Sequence, residues 1–360
     1  MIPFSCTPIY QQRIWGGRNL TDLLGRTLPA GVIGESWEIS DIADDVSVID
    51  DGPDAGRSLR AVIEESPGSI LGTGASASDR FPLLIKYLDA QDLLSVQVHP
   101  RDQYATEHEN GSPGKTEMWI VLHAEPDAEM IAGLKSRVTR ESFEDALRDG
   151  RIADCLRTHR VSVGDVLLMS AGRVHALGAG LIVLEIQQTS SITYRLHDWD
   201  RMDADGNPRD LHIDRALDVI DFDDTADPVL KPIVREEEWG KRSLLAATPY
   251  FVTERLEMDR AGEFATHASS PDVLVVLDGN ARLTYHDGET NISRGMTVTV
   301  PASTGGYGLR PDGRCDIVVS SVPGEDPMPR WVSEANGVDR VIPVCDGLMA
   351  LELKHLYGTT

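Results

Sequence analysis

Alternation of polar and apolar residues is the dominant pattern in this chain, and it is clearest over residues 93–122, LLSVQVHPRDQYATEHENGSPGKTEMWIVL. Successive side chains of a strand point to opposite faces, so residues two apart share a face. Ser95, Gln97 and His99 fall together, with Val96 and Val98 behind them. Lys115, Glu117 and Trp119 fall together in a second run. A polar stretch with Gly and Pro lies between. The pattern predicts two strands that pair and bring an imidazole, an amide oxygen, a carboxylate and an ammonium into one pocket.

The rest of the chain extends this style. In Gly34-Glu-Ser-Trp-Glu-Ile-Ser40, Ser36, Glu38 and Ser40 alternate with Trp37 and Ile39, a strand signal. Trp15 and Trp37 read as core or rim packing. Residues 58–65 predict a short helix with Ser58 as N-cap, and 68–79 a loop. Residues 81–88 predict an apolar strand interrupted by Lys86, which either snorkels outward or enters a polar cavity. Over 139–159 the period becomes helical, through Phe143, Ala146, Leu147, Ile152, Cys155 and Leu156, with a start at Thr139 and a break at Asp149-Gly150. Strands resume at 161–169, around His175, and at 181–187 and 192–197; in the last, Thr193, Arg195 and His197 share a face. A short helix is expected over 210–222. The acidic run 221–227 reads as solvated charge and as the boundary between units 1–227 and 228–360. Many short strands between Gly/Pro turns, with one small helical insertion, predict a mainly β sandwich or barrel.

Residues 164–175 align without gaps on residues 295–306. Both copies hold a Gly turn, a strand, a tight turn and a second strand start. Gly306 stands where the first copy has His175. A second β unit that keeps the scaffold and lacks this ligand is expected. Residues 322–329 read as a link and 348–353 as a strand-like run, and no function attaches to this tail.

Composition narrows the partners. The formal charge of −24 disfavours nucleic acid and anionic membrane. An anionic small substrate then needs a local cationic site, for which Lys86, Lys115 and Arg195 are the candidates. Arg195 has a competing role in an ion pair with Asp198, Asp200 or Glu185. Cys6, Cys155, Cys315 and Cys345 show no CxxC spacing and fit free thiols in a reducing cytoplasm. Neither a secretory signal nor a membrane-length apolar run is present, and no GxGxxG follows a strand.

His99, Glu117 and His175 form a two-His, one-carboxylate set to which Gln97 adds an oxygen, a donor set suited to zinc or another first-row divalent metal. A single strand histidine is usually structural, so the argument rests on the combination.

Val96-Gln-Val-His-Pro100, Gly114-Lys-Thr-Glu-Met-Trp119, Ala171-Gly-Arg-Val-His-Ala-Leu-Gly178, Leu184-Glu-Ile-Gln-Gln188 and Thr193-Tyr-Arg-Leu-His-Asp-Trp199 resemble, in order, the type I mannose-6-phosphate isomerases, most nearly the short bacterial form. The likeness runs over about residues 1–320 and is loose after Asp227. It implies two cupin-type jelly-roll β-barrels, the first catalytic and the second degenerate. It implies one zinc held by His99, Glu117 and His175, with Gln97 matching a fourth ligand of longer members. Arg195 matches a catalytic arginine; Ser95, Lys115 and Glu185 match pocket residues. A lysine of the longer members has no match after Arg195, which leaves the proton-transfer base unassigned. The implied reaction interconverts mannose 6-phosphate and fructose 6-phosphate through an enediol. The same ligand set also fits a cupin-type non-haem iron dioxygenase, and a non-catalytic sugar-phosphate-binding cupin is the third reading.

Overall fold

The structure, a computed structural model, describes residues 1–202 and 206–324. It is mainly β. Three large antiparallel sheets stack in layers. The first has five strands in the order Leu156–Arg160, Glu129–Leu134, His175–Ala176, Val96–Val98, Tyr194–His197. The second has seven, in the order Val229–Leu230, Val166–Met169, Glu117–Ala124, Leu181–Gln188, Leu83–Ala90, Glu35–Ile39, Ile9–Gln11. The third has ten, drawn mostly from the strands between Ile233 and Ser321.

The seven-stranded sheet is the middle layer. Its back face, through Ile85, Tyr87, Ile120, Leu168 and Leu184, packs on Val273, Val275 and Val318 of the third sheet and on Phe251, just before one of its strands. Its front face, through Leu88, Trp119, Val121, Leu167 and Val183, packs on Met130, Ala132 and Leu177 beside the five-stranded sheet. With both faces covered, all eight residues of Leu83–Ala90 and of Leu181–Gln188 are buried. Sequence alternation therefore fades into apolar runs. Against that background a charged residue in such a strand is a desolvated group that demands a partner.

Several expectations need correction. The two strands of the 93–122 stretch do not pair with each other: Val96–Val98 lies in the five-stranded sheet and Glu117–Ala124 in the seven-stranded one. The polar stretch between them contains the helix Asp102–His108. The helical insertion runs over Arg140–Arg148 and a 3-10 turn, Ile152–Cys155, but ends as the strand Leu156–Arg160 paired to Glu129–Leu134. Its Thr139 start is real, since Thr139 and Ser142 cap each other. The loop at 68–79 is entered through the short helix Pro67–Ile70. A register shift lies between Arg195 and His197, yet Tyr194 and Leu196 are buried in one core cluster while Arg195 and His197 are half-buried, as the alternation predicts. Two pairings cross the 227/228 division: Phe4–Thr7 joins Thr297–Val300 in the third sheet, and Val229–Leu230 joins Val166–Met169 in the second. The run at 348–353 lies outside the described residues.

Candidate metal centre

The site forms where the five- and seven-stranded sheets face each other. His175 opens the short strand His175–Ala176, directly opposite Gln97. His99 follows Val96–Val98, and Glu117 opens Glu117–Ala124 in the other sheet. One sheet thus supplies two imidazoles and the other a carboxylate. Glu117 Oε2 is 3.5 Å from His99 Nε2, and Oε1 is 3.2 Å from His175 Nε2. The three ligand atoms lie within 4.8 Å of one another, all buried.

Backbone carbonyls set the tautomers. His99 Nδ1 lies 2.8 Å from Ile192 O, and His175 Nδ1 lies 2.9 Å from Arg173 O. A carbonyl only accepts, so each Nδ1 donates its proton there and each Nε2 turns a lone pair toward Glu117. Burial, reinforced by Lys115, lowers His99 to about 3 and keeps it neutral. For Glu117, burial opposes ionisation, but the Lys115 ammonium beside it holds it well below the usual carboxylate range. Two lone pairs facing a buried carboxylate repel unless a cation lies between them. His99 Nε2 and Glu117 Oε1 lack a hydrogen-bond partner, and Glu117 Oε2 has only the Lys115 ammonium beside it. This donor set, with its second ring nitrogens tied, fits a divalent metal.

Gln97 sits beside this set: its Nε2 is 3.3 Å from His175 Nε2, and Ser95 Oγ donates to its Oε1 at 3.4 Å. A half-turn of the amide exchanges its oxygen and nitrogen. Arg195 is opposite Gln97 in the sheet, so His175, Gln97 and Arg195 form a row across three strands on one face. Arg195 donates to Asp210 O at 2.8 Å and makes none of the expected ion pairs; Asp198 is taken by Arg201 and Arg209.

A second buried charge system lines the seven-stranded side. Lys115 Nζ is 2.9 Å from Glu117 Oε2. In the adjoining row, Trp119, Glu185, Lys86 and Trp37 stand in register across four strands. Lys86 Nζ is 2.6 Å from Glu185 Oε2, so it points into the polar cavity and does not snorkel outward. Trp119 Nε1 donates to Glu185 Oε1 at 2.7 Å, and its ring meets the His175 ring edge-on at 5.6 Å. Burial lowers Lys86 to about 8, against the pull of Glu35.

Sequence reasoning missed Glu35. Its carboxylate accepts from Arg13 Nε and from Trp37 Nε1, both at 2.7 Å, and lies 3.6 Å from Lys86 Nζ. Burial works against the charge, but Lys86 and Arg13 bring Glu35 down to about 2. The signal was present: Glu35 shares a face with Trp37, opposite the Ser36–Glu38 face, so one buried strand is polar on both sides. Trp37 is buried as expected, yet it also orients Glu35 and lies beneath Lys86 at 5.7 Å. The acidic 221–227 run is not only solvated charge, because Asp224 pairs with the buried Arg173.

Residues 3–117 match the family model described as the catalytic domain of phosphomannose isomerase type I. The mannose-6-phosphate isomerase ManA of Bacillus subtilis is 34% identical over 320 residues, 88% of this chain and 98% of that protein. The mannose-6-phosphate isomerase of Streptococcus mutans is 34% identical over 310 residues, 86% of this chain and 95% of that one. The crystal structure of the Bacillus subtilis mannose 6-phosphate isomerase superposes with a TM-score of 0.82 at 31% identity, covering 89% of this chain and 99% of that one. A mannose 6-phosphate isomerase solved with zinc and yttrium shares the fold at a TM-score of 0.68 and 16% identity, over 88% of this chain and 99% of that one. With near full-length coverage of these relatives, the chain belongs to the type I mannose-6-phosphate isomerase family.

Proposed function

We propose that this protein is a metal-dependent aldose–ketose isomerase that interconverts mannose 6-phosphate and fructose 6-phosphate through an enediol. The observation that carries this reading is the His99–Glu117–His175 cluster, walled by buried cations, in a chain of this family. Zinc, one per chain, suits the donor set, and Gln97 is the candidate fourth ligand once its amide oxygen faces the cluster. When bound, the metal acts as a Lewis acid that polarises the oxygens at the reacting carbons.

The chain's own residues do the rest. Ile192 O and Arg173 O hold the two imidazoles in their ligand tautomer. Lys115 keeps Glu117 a carboxylate. Lys86, brought to about 8 and bonded to Glu185, exchanges a proton near neutral pH, as a general acid–base group must. Arg195 is the catalytic cation that opposes charge developing on the enediolate. Ser95, Lys115, Glu185 and Lys86 form the substrate wall. Residues 1–227 carry this chemistry in this reading, and the described part of the 228–360 unit, through Phe251, Val273, Val275 and Val318, buttresses the middle sheet. No helix among the described residues is long and apolar enough to cross a membrane; the buried free thiols Cys6, Cys155 and Cys315 support a cytoplasmic location.

A coupled isomerase assay on mannose 6-phosphate, run before and after chelation with metal content read on the same sample, tests this. Activity lost on chelation and restored by zinc is expected. Bound zinc without turnover sinks the substrate assignment, and bound iron with oxygen consumption moves the protein to a dioxygenase.

A further inference from the structure

The turn at residues 171–173 touches both histidines of the cluster. Gly172 N donates to His99 O at 2.8 Å, and Arg173 O accepts from His175 Nδ1 at 2.9 Å. Gly172 is at φ +95, and a Cβ there would meet Val219 O at 3.1 Å and Asp221 Cβ at 3.2 Å, so this close approach requires glycine. The acidic 221–227 segment straps the turn from outside. Asp221 N donates to Gly172 O at 2.9 Å. Asp224 takes Arg173 in a two-pronged pair, Nε to Oδ2 at 2.6 Å and Nη2 to Oδ1 at 2.9 Å. Arg173 Nη1 donates to Leu168 O at 2.7 Å, which ties the same guanidinium to the seven-stranded sheet that carries Glu117. Arg173 is only 5% exposed.

We propose that Asp224 is a positioning residue for the metal centre, acting through Arg173 on the turn that orients His99 and His175. The inference rests on the reading of His99, Glu117 and His175 as metal ligands. Two physical effects act together. The bidentate pair fixes the main chain whose carbonyl sets the His175 tautomer, as outer partners of metal-bound histidines do. It also pairs the charge of an arginine that is only 5% exposed, which lets that guanidinium stay buried against the turn.

The test is zinc affinity of the metal-stripped full chain, by chelator competition, at a temperature where circular dichroism shows each variant folded. Asp224→Ala is expected to weaken zinc ~10–100-fold, the usual effect of losing an outer-shell partner. Arg173→Ala should do the same, the double variant should be no weaker than either single, and Asp224→Glu should recover most of the loss. Asp224→Asn, which keeps the shape and one acceptor, serves if the alanine variant does not fold, and should fall between. Zinc affinity within twofold of wild type in the folded variants overturns the proposal, even where Tm falls, because the pair is then only structural. Wild-type protein that binds no zinc refutes the metal centre itself and is distinguishable from that outcome.

Discussion

Glu117 and Asp272 hold the same place in two related pairs of antiparallel strands. Glu117 lies opposite Met169, and Asp272 lies opposite Val300, the residue that aligns with Met169 in the internal repeat. Both carboxyls are buried, yet their charge states diverge. Glu117 has Lys115 at 2.9 Å and two imidazoles beside it, and it stays ionised. Asp272 has the hydroxyl of Tyr307 at 2.8 Å, and burial pushes it up to about 7. Gly306 stands where His175 would, and among the described residues the one cation acting on Asp272, Arg242, is held in a two-pronged pair by Glu254, whose own charge pushes Asp272 up. Burial alone neutralises a carboxyl; a ligand needs burial with cations or a metal to hold its charge. Register is common to these two strand pairs, and the neighbours decide the charge state of each carboxyl.

Three changes break or sharpen that contrast. His175→Gly copies the C-terminal unit into the N-terminal one. It should abolish stable zinc binding and lower kcat/KM by about a thousandfold, as loss of several kcal/mol of Lewis-acid stabilisation implies; metal analysis with the coupled assay checks both. Lys86→Met removes a cation and leaves the ligands in place. Metal content should hold while kcat falls by roughly a hundredfold, the lower range for a lost acid–base group. An unchanged kcat would move proton transfer to another residue.

The smallest effect concerns Asp272→Asn, read by thermal melts against pH. The folded carboxyl titrates at about 7 and the unfolded one near its ordinary 3.8, so between those values the native state holds a proton that the unfolded chain has lost. Stability from the neutral form is complete below the unfolded value and is lost as pH rises to about 7. The asparagine, which never ionises, should match wild type at pH ~4 and exceed its Tm by a few degrees at pH ~8. Equal differences at both pH values would show that Asp272 does not titrate in this range.

Legibility varied with how local the signal was. Ser58 capping the helix Leu59–Glu65 through the Ala61 amide is a contact within one turn, and the sequence pattern found it. Glu35 was missed because its partners, Arg13 and Lys86, come from distant parts of the chain and alternation reports faces, not partners. The strands carrying His99 and Glu117 were expected to pair because they are neighbours in sequence; they meet instead across two sheets.

The sequence by itself determined the mainly β class, the ligand types, the order of the motifs and the loss of one histidine in the second copy. These depend on residue identity and on periods of two and three to four, which are local properties. Only the tertiary structure decided that two sheets supply one candidate metal site, that Lys86 points inward, that Arg173 and Asp224 brace the histidine turn, and that Glu117 and Asp272 differ in charge. Each of those depends on which distant groups are brought together out of water, where a charge a few ångströms away outweighs anything nearby in sequence.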